Sequence, residues 1–213
     1  ILIVFSLLSV QAQKAPLLKG FGNAVYQGIP EDVFLKKWLI LGPLPVSDKP
    51  GQPGTETLQE AFNKDPFTIL TFDKKKPLPP VNFSGKQYEW KYFESKSDTV
   101  LLNKILGDTS FVTCYALAEI IVPEPEKVLI GLGSDDGVKM WLNGKEVHSN
   151  YVDRALTIDN DIFEIALNKG SNQVLIKVQN SRFDYGFSVR RVGGSAITGL
   201  LLKSAENGDF DNV

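Results

Sequence analysis

Residues 133–147 constrain the fold of this chain more than any other stretch. Two dipeptides within it, Asp136-Gly137 and Asn143-Gly144, supply the positive φ angles that a tight type I′ hairpin turn requires. Between them Val138, Met140 and Leu142 alternate with Lys139 and Trp141, the period of a strand with two unlike faces. An apolar run over residues 127–133 comes before, and residues 145–148 begin a further strand. The segment therefore reads as an antiparallel meander.

The rest of the chain repeats the theme. Residues 34–45 form a strand around Trp38 and Ile40, and Gly42-Pro43 interrupts it. Short strands are predicted over 67–72 and 87–93, and a long apolar one over 111–122, ended by Pro123 and Pro125. Residues 99–102 suit a strand or a short helix. Further on, 163–167 and 173–178 alternate, the second with Val174, Ile176 and Val178 inward, and 185–191 makes the last strand. Leu58 and Phe62, four apart, suit one or two turns of helix. No helix is long enough for parallel βαβ units. The predicted fold is all-β, an antiparallel, jelly-roll-like β-sandwich with a short C-terminal helical segment.

Composition narrows the chemistry. A formal net charge of -2 gives no electrostatic case for nucleic acid or an anionic membrane. One cysteine, Cys114, excludes an intramolecular disulfide and any multi-cysteine zinc site, and one histidine, His148, leaves metal chemistry to oxygen ligands. Cys114 lies inside an apolar strand with no basic neighbour, which suits a buried small side chain rather than a nucleophile. Tyr88, Trp90 and Tyr92 share one face; they either pack across a sheet or offer a sugar-stacking platform. The first ten residues are apolar and lead to a small-residue site near Ala12, as in the second half of a secretory signal peptide. A secreted or periplasmic location is the expectation.

Several of these segments resemble accessory β-sandwich modules of secreted bacterial proteins. They are residues 38–45, 133–144, Asp153-Arg154, 169–172 with 175–178, and 185–187. The modules are similar to galactose-binding-like jelly rolls and to the protective-antigen-like lectin sandwich, and are often attached to glycoside hydrolases, sulfatases or peptidases. In the sugar-binding branch of the latter an adjacent aspartate pair holds calcium, and Asp135-Asp136 matches that motif. Paired carboxylates and loop carbonyls can supply calcium's six to eight oxygens; equally, Asp136-Gly137 is explained by a turn that Asp135 caps. Asp153 and Arg154 form an internal ion pair or a ligand clamp. The resemblance implies the ligand-binding candidates Asp135, Asp136, Trp141, Asn143, Asp153, Arg154 and Tyr185, with Asp135 and Asp136 as calcium ligands and carbohydrate as partner.

Residues 201–213 resemble the opening of an ankyrin repeat, with Gly208 as a helix C-cap and Asp209 as an N-cap. The expected division is a partial signal peptide over 1–13, a lead-in over 14–33, the sandwich over 34–192, a linker over 193–199 and the helical repeat over 200–213. The chain holds no Gly-x-Ser-x-Gly elbow, no metal-ligand histidine spacing and no phosphate-cradling glycine loop. It reads as a non-catalytic binding module of a larger secreted protein with carbohydrate as ligand. The alternatives are an accessory domain of a secreted hydrolase, or a structural spacer before a protein-binding ankyrin array.

Overall fold

The computed structural model describes residues 21–49, 51–64, 76, 78–107 and 109–199. The leader-like stretch, the strand over 67–72 and the ankyrin-like stretch fall outside these residues. Among the described residues, no helix is long and apolar enough to cross a membrane.

The chain passes repeatedly between two sheets. The larger runs β10 (Lys145–Asn150), β9 (Gly137–Leu142), β12 (Gly170–Asn180), β7 (Val112–Val122), β2 (Lys37–Pro45) and β5 (Lys91–Glu94) in spatial order. A further strand, β1 (Val25–Gln27), pairs in parallel with the later half of β7. The smaller sheet runs β11 (Asp161–Leu167), β8 (Glu126–Ser134), β13 (Gly186–Arg191) and β6 (Val100–Leu101). A hairpin of β3 (Val81–Phe83) and β4 (Lys86–Tyr88) stands apart. Short helices α1 (Thr55–Asn63) and α2 (Leu102–Leu106) lie between strands. It is an antiparallel β-sandwich, as the alternating pattern predicts, with β1 as a parallel addition inside the stretch expected to be a lead-in.

The core between the sheets is built by period-2 alternation. Trp38 and Ile40 of β2, Cys114, Ala116 and Ala118 of β7, Val138, Met140 and Leu142 of β9, and Val174, Ile176 and Val178 of β12 face Ile130, Leu132, Phe187 and Val189 of the smaller sheet. Trp38 meets Phe187 edge to face at 5.2 Å. Burial raises the Cys114 thiol far above its ordinary range, so it is an inert core side chain.

The opposite face of the larger sheet is covered too. Leu39, Leu41, Tyr115, Leu117, Trp141 and Leu175 pack with Trp90 and Leu78, with Tyr88 and Tyr92 against them. Burial on both faces explains why β7 reads as a continuous apolar run. It also assigns Tyr88, Trp90 and Tyr92 to packing, with a break between β4 and β5 at Glu89 and Trp90.

The expected meander needs correction. Asn143 (φ 52°) and Gly144 (φ 82°) do close a tight hairpin, pairing Leu142 with Lys145. Asp136-Gly137 does not. Asp136 alone takes a positive φ (55°), and β8 and β9 belong to different sheets. The dipeptide turns a corner between the layers. Gly137 is closely packed: a Cβ there would stand 3.0 Å from the Phe62 ring of α1.

The expected linker is also ordered differently. Residues 194–199 are helical. Asp32 accepts hydrogen bonds from Gly193 N (3.0 Å) and Ser195 Oγ (2.6 Å) and pairs with Arg190, which fastens the start of that helix to the sandwich. The Ser195 hydroxyl, then the Gly193 N–H and the Arg190 charge, hold the Asp32 carboxyl below its usual range.

Candidate functional site

Five segments meet at one end of the sandwich: the β8–β9 corner, the loop after β10, the β12–β13 loop, Phe111 before β7, and the approach to α1. They enclose a cleft of about 730 Å³ lined by Asp135, Asp136, Asp153 and Arg154, by Ser181, Arg182, Phe183 and Asp184, and by Phe111, Gly54, Thr55 and Leu58. Four of the seven sequence-predicted site residues therefore converge here.

Their roles differ. Asp136 is committed to the fold. Its Oδ1 accepts the Arg154 N–H at 3.2 Å and its Oδ2 the Ser181 N–H at 2.6 Å, so it ties the loop after β10 to the end of β12. Its own N–H donates to the Arg154 carbonyl at 3.0 Å. Arg154 lines the cleft, but its guanidinium forks onto Asp161 and donates to Ser134 Oγ at 2.8 Å. The ion pair expected between Asp153 and Arg154 is thus formed with Asp161 instead. Burial alone would raise the Asp161 carboxyl. The Arg154 fork, the Asn150 amide and nearby His148 outweigh it and hold that carboxyl low.

Asp135 and Asp153 remain for the cleft. Asp135 is pushed up to about 6, first by burial and then by the charge of Asp136, with Asp184 and Asp153 adding; the Leu156 N–H opposes this. Asp136 is raised for the same leading reason, burial. Asp184 accepts a hydrogen bond from the Asn103 amide of α2. The cleft floor is a set of carboxylates that repel one another and present acceptors to whatever enters.

The rim is aromatic and strained. Phe183 is 84 % exposed with φ 67°, and Phe111 has φ 57°. The other described non-glycine residues with positive φ are Asp, Asn or Ser, and the Asp and Asn side chains tolerate the left-handed region. The two bulky outliers both line this cleft. Arg182 lies over the Phe111 ring at 5.8 Å.

Three predicted site residues lie elsewhere. Trp141 is buried in the outer cluster beneath Lys139. Asn143 closes the β9–β10 hairpin and receives the Gln173 N–H at 2.8 Å. Tyr185 is buried and donates to the Gly107 carbonyl at 3.1 Å. Each carries the resemblance because it shapes the sandwich. Phe183, Phe111, Arg182 and Asp184 were missed by the sequence reading. An Arg-Phe-Asp run between two strands was the available signal, and it has no periodicity to draw attention.

Calcium needs six to eight oxygens; of the candidate pair, Asp136 receives one backbone N–H on each carboxylate oxygen. Among the described residues, no group of three or more His, Cys, Asp or Glu side chains is arranged to hold a metal ion.

No protein-family model matches this chain, and no curated protein does. Among solved structures it is similar to the PA14 domain of the MpAFP antifreeze protein, at 16% identity and TM-score 0.33 over 39% of this chain and 45% of that one. It is similar to a family 35 carbohydrate-binding module from Clostridium thermocellum, at 13% identity and TM-score 0.29 over 44% and 88%. It is also similar to a β-glucosidase from Kluyveromyces marxianus, solved with glucose, at 10% identity and TM-score 0.38 over 55% and 16%. The chain thus spans under half the length of the first and third of these. At such scores the likeness assigns neither a family nor a ligand.

Proposed function

We propose that this chain is a non-catalytic binding module of a secreted or periplasmic protein, and that it takes carbohydrate in the cleft between Phe183, Asp135 and α1. The observation that carries the reading is Phe183, an apolar ring held in a strained backbone conformation and 84 % exposed at the rim of a polar cleft. Strain and apolar exposure both cost stability, and they persist together where function requires them. An exposed aromatic face stacks on the C–H face of a sugar ring. Beside it, carboxylates accept hydrogen bonds from hydroxyl groups, and charge-assisted bonds of this kind are about twice as strong as neutral ones. The cleft volume falls within the range of small-ligand sites, roughly 300–1,000 Å³.

The test is a panel of cello-, xylo-, manno- and chito-oligosaccharides against the full chain, read by calorimetry and by thermal midpoint, in calcium and in chelator. At least one series should bind and raise the midpoint, equally in both buffers. Phe183→Ala should weaken that binding about fivefold, the loss of roughly 1 kcal/mol of stacking. Absence of binding across the panel overturns the reading, as does binding that is indifferent to both Phe183→Ala and Asp135→Asn.

A further inference from the structure

Helix α1 touches the cleft at one end and the larger sheet at the other. Thr55 and Leu58 line the cleft. The carbonyls of Ala61, Phe62 and Lys64, in and just past the last turn, accept hydrogen bonds from Lys177 Nζ at 2.9, 2.8 and 2.8 Å. These are the carbonyls a helix leaves without partners, at the negative end of its dipole. The helix has no basic residue of its own in its last turn, and Lys64 at its C-cap is extended. The cap comes from a strand far along the sequence.

Lys177 is fully buried on the outer face of β12. Its neighbour on that face, Gln179, donates to the Leu58 carbonyl at 2.8 Å, at the residue that lines the cleft. The same strand then runs straight into Ser181, Arg182, Phe183 and Asp184, the facing wall. One strand therefore holds both walls, one through side-chain donors and the other through its own continuation. Phe62 wedges between the ammonium groups of Lys177, 5.7 Å from its ring, and Lys139, 5.2 Å from it.

The ammonium satisfies three backbone carbonyls that an apolar side chain of similar volume would leave without donors. What the charge adds is direction. Apolar contact tolerates a sliding helix, whereas three converging carbonyls define one position.

We infer that Lys177 is a positioning residue of the cleft: by capping α1 it sets the distance between the Thr55–Leu58 wall and the Phe183 loop, and so the width of the site. The inference rests on the cleft being the binding site, but its readout needs no ligand. A failed sugar screen therefore leaves it standing, and its own failure leaves the sugar reading standing.

The experiment places spin labels at Gln59→Cys and Arg182→Cys in the full chain, with Cys114 buried beyond the reach of the label. Double electron–electron resonance gives the wall-to-wall distance, and hydrogen exchange is followed at amides 58–64 and in β7 and β9. With Lys177 present the distance distribution is narrow. In Lys177→Met it should broaden, and amides 58–64 should exchange at least tenfold faster while β7 and β9 stay protected. A role in global stability alone would lower the thermal midpoint and leave the distance in the folded protein unchanged; that result overturns the inference. Should Lys177→Met fail to fold, Lys177→Gln, which keeps N–H donors on a shorter stem, is read in the same way. Failure of both to fold would assign Lys177 to the sandwich as a whole and equally overturn it.

Discussion

The Phe62 ring of α1 seats directly on Gly137, where a Cβ would stand 3.0 Å from one ring carbon and 3.1 Å from the next. The glycine that looks like half of a hairpin turn is the floor on which the helix rests. Gly137→Ala should push Phe62 off its site and away from Tyr151, whose ring lies 5.1 Å from it. The expected cost is about 1–3 kcal/mol, typical of an overpacked contact. A urea titration checks this. Phe62→Leu in the same background should recover part of the loss, because a smaller side chain vacates the contested space.

Asp135 makes stability depend on pH in the less common direction. Its folded-state carboxyl is raised to about 6, above the unfolded value near 3.8. The native protein therefore binds the extra proton between those values, and stability falls as pH rises through that window. Asp135→Asn should raise the thermal midpoint at pH 7.5 and have little effect at pH 4. The same substitution should weaken ligand binding, the usual cost of a site kept electrostatically uncomfortable.

Asp161 behaves in the opposite sense. Its carboxyl is held low by Arg154, Asn150 and His148 against burial. It contributes stability above the unfolded value, and that contribution is lost as pH falls through the folded one. Arg154→Ala would leave this carboxylate enclosed without its partner, at a cost of about 3 kcal/mol. Measured at pH 7 and again at pH 3, the deficit should shrink in acid, where protonation relieves the unpaired Asp161 of the variant.

Phe183 offers a separation of stability from binding. Glycine takes a φ of 67° without steric penalty. In Phe183→Gly, relief of about 1 kcal/mol of left-handed strain offsets the entropy glycine adds to the unfolded chain. The thermal midpoint should hold or rise while binding falls as it does in Phe183→Ala. A drop in midpoint with binding intact would show that the ring serves packing.

Tyr185→Phe should act on stability only. It removes the hydrogen bond to the Gly107 carbonyl, a loss of about 1 kcal/mol. Affinity for any cleft ligand should not change, since the hydroxyl lies in the core beside Cys114.

Local rules establish the sandwich, the alternation of β9, the inward row of β12 and the Asn143-Gly144 hairpin: period-2 alternation and the φ preferences of Asn and Gly suffice. Asp135, Asp136, Asp153 and Arg154 entered through a resemblance, and their meeting in one cleft is a property of the fold. Tertiary structure alone decided that Asp136-Gly137 joins two sheets, because a dipeptide carries no record of which strands later pair. Only the fold could turn Arg154 toward Asp161 instead of Asp153, where the bidentate geometry lies. Alternation placed Lys177 on an outward face, where a lysine normally meets water; α1, packed there from more than a hundred residues away, made it a buried helix cap. The partner of a long polar side chain is set by which segments converge in space, and that convergence is not written in the residues flanking it.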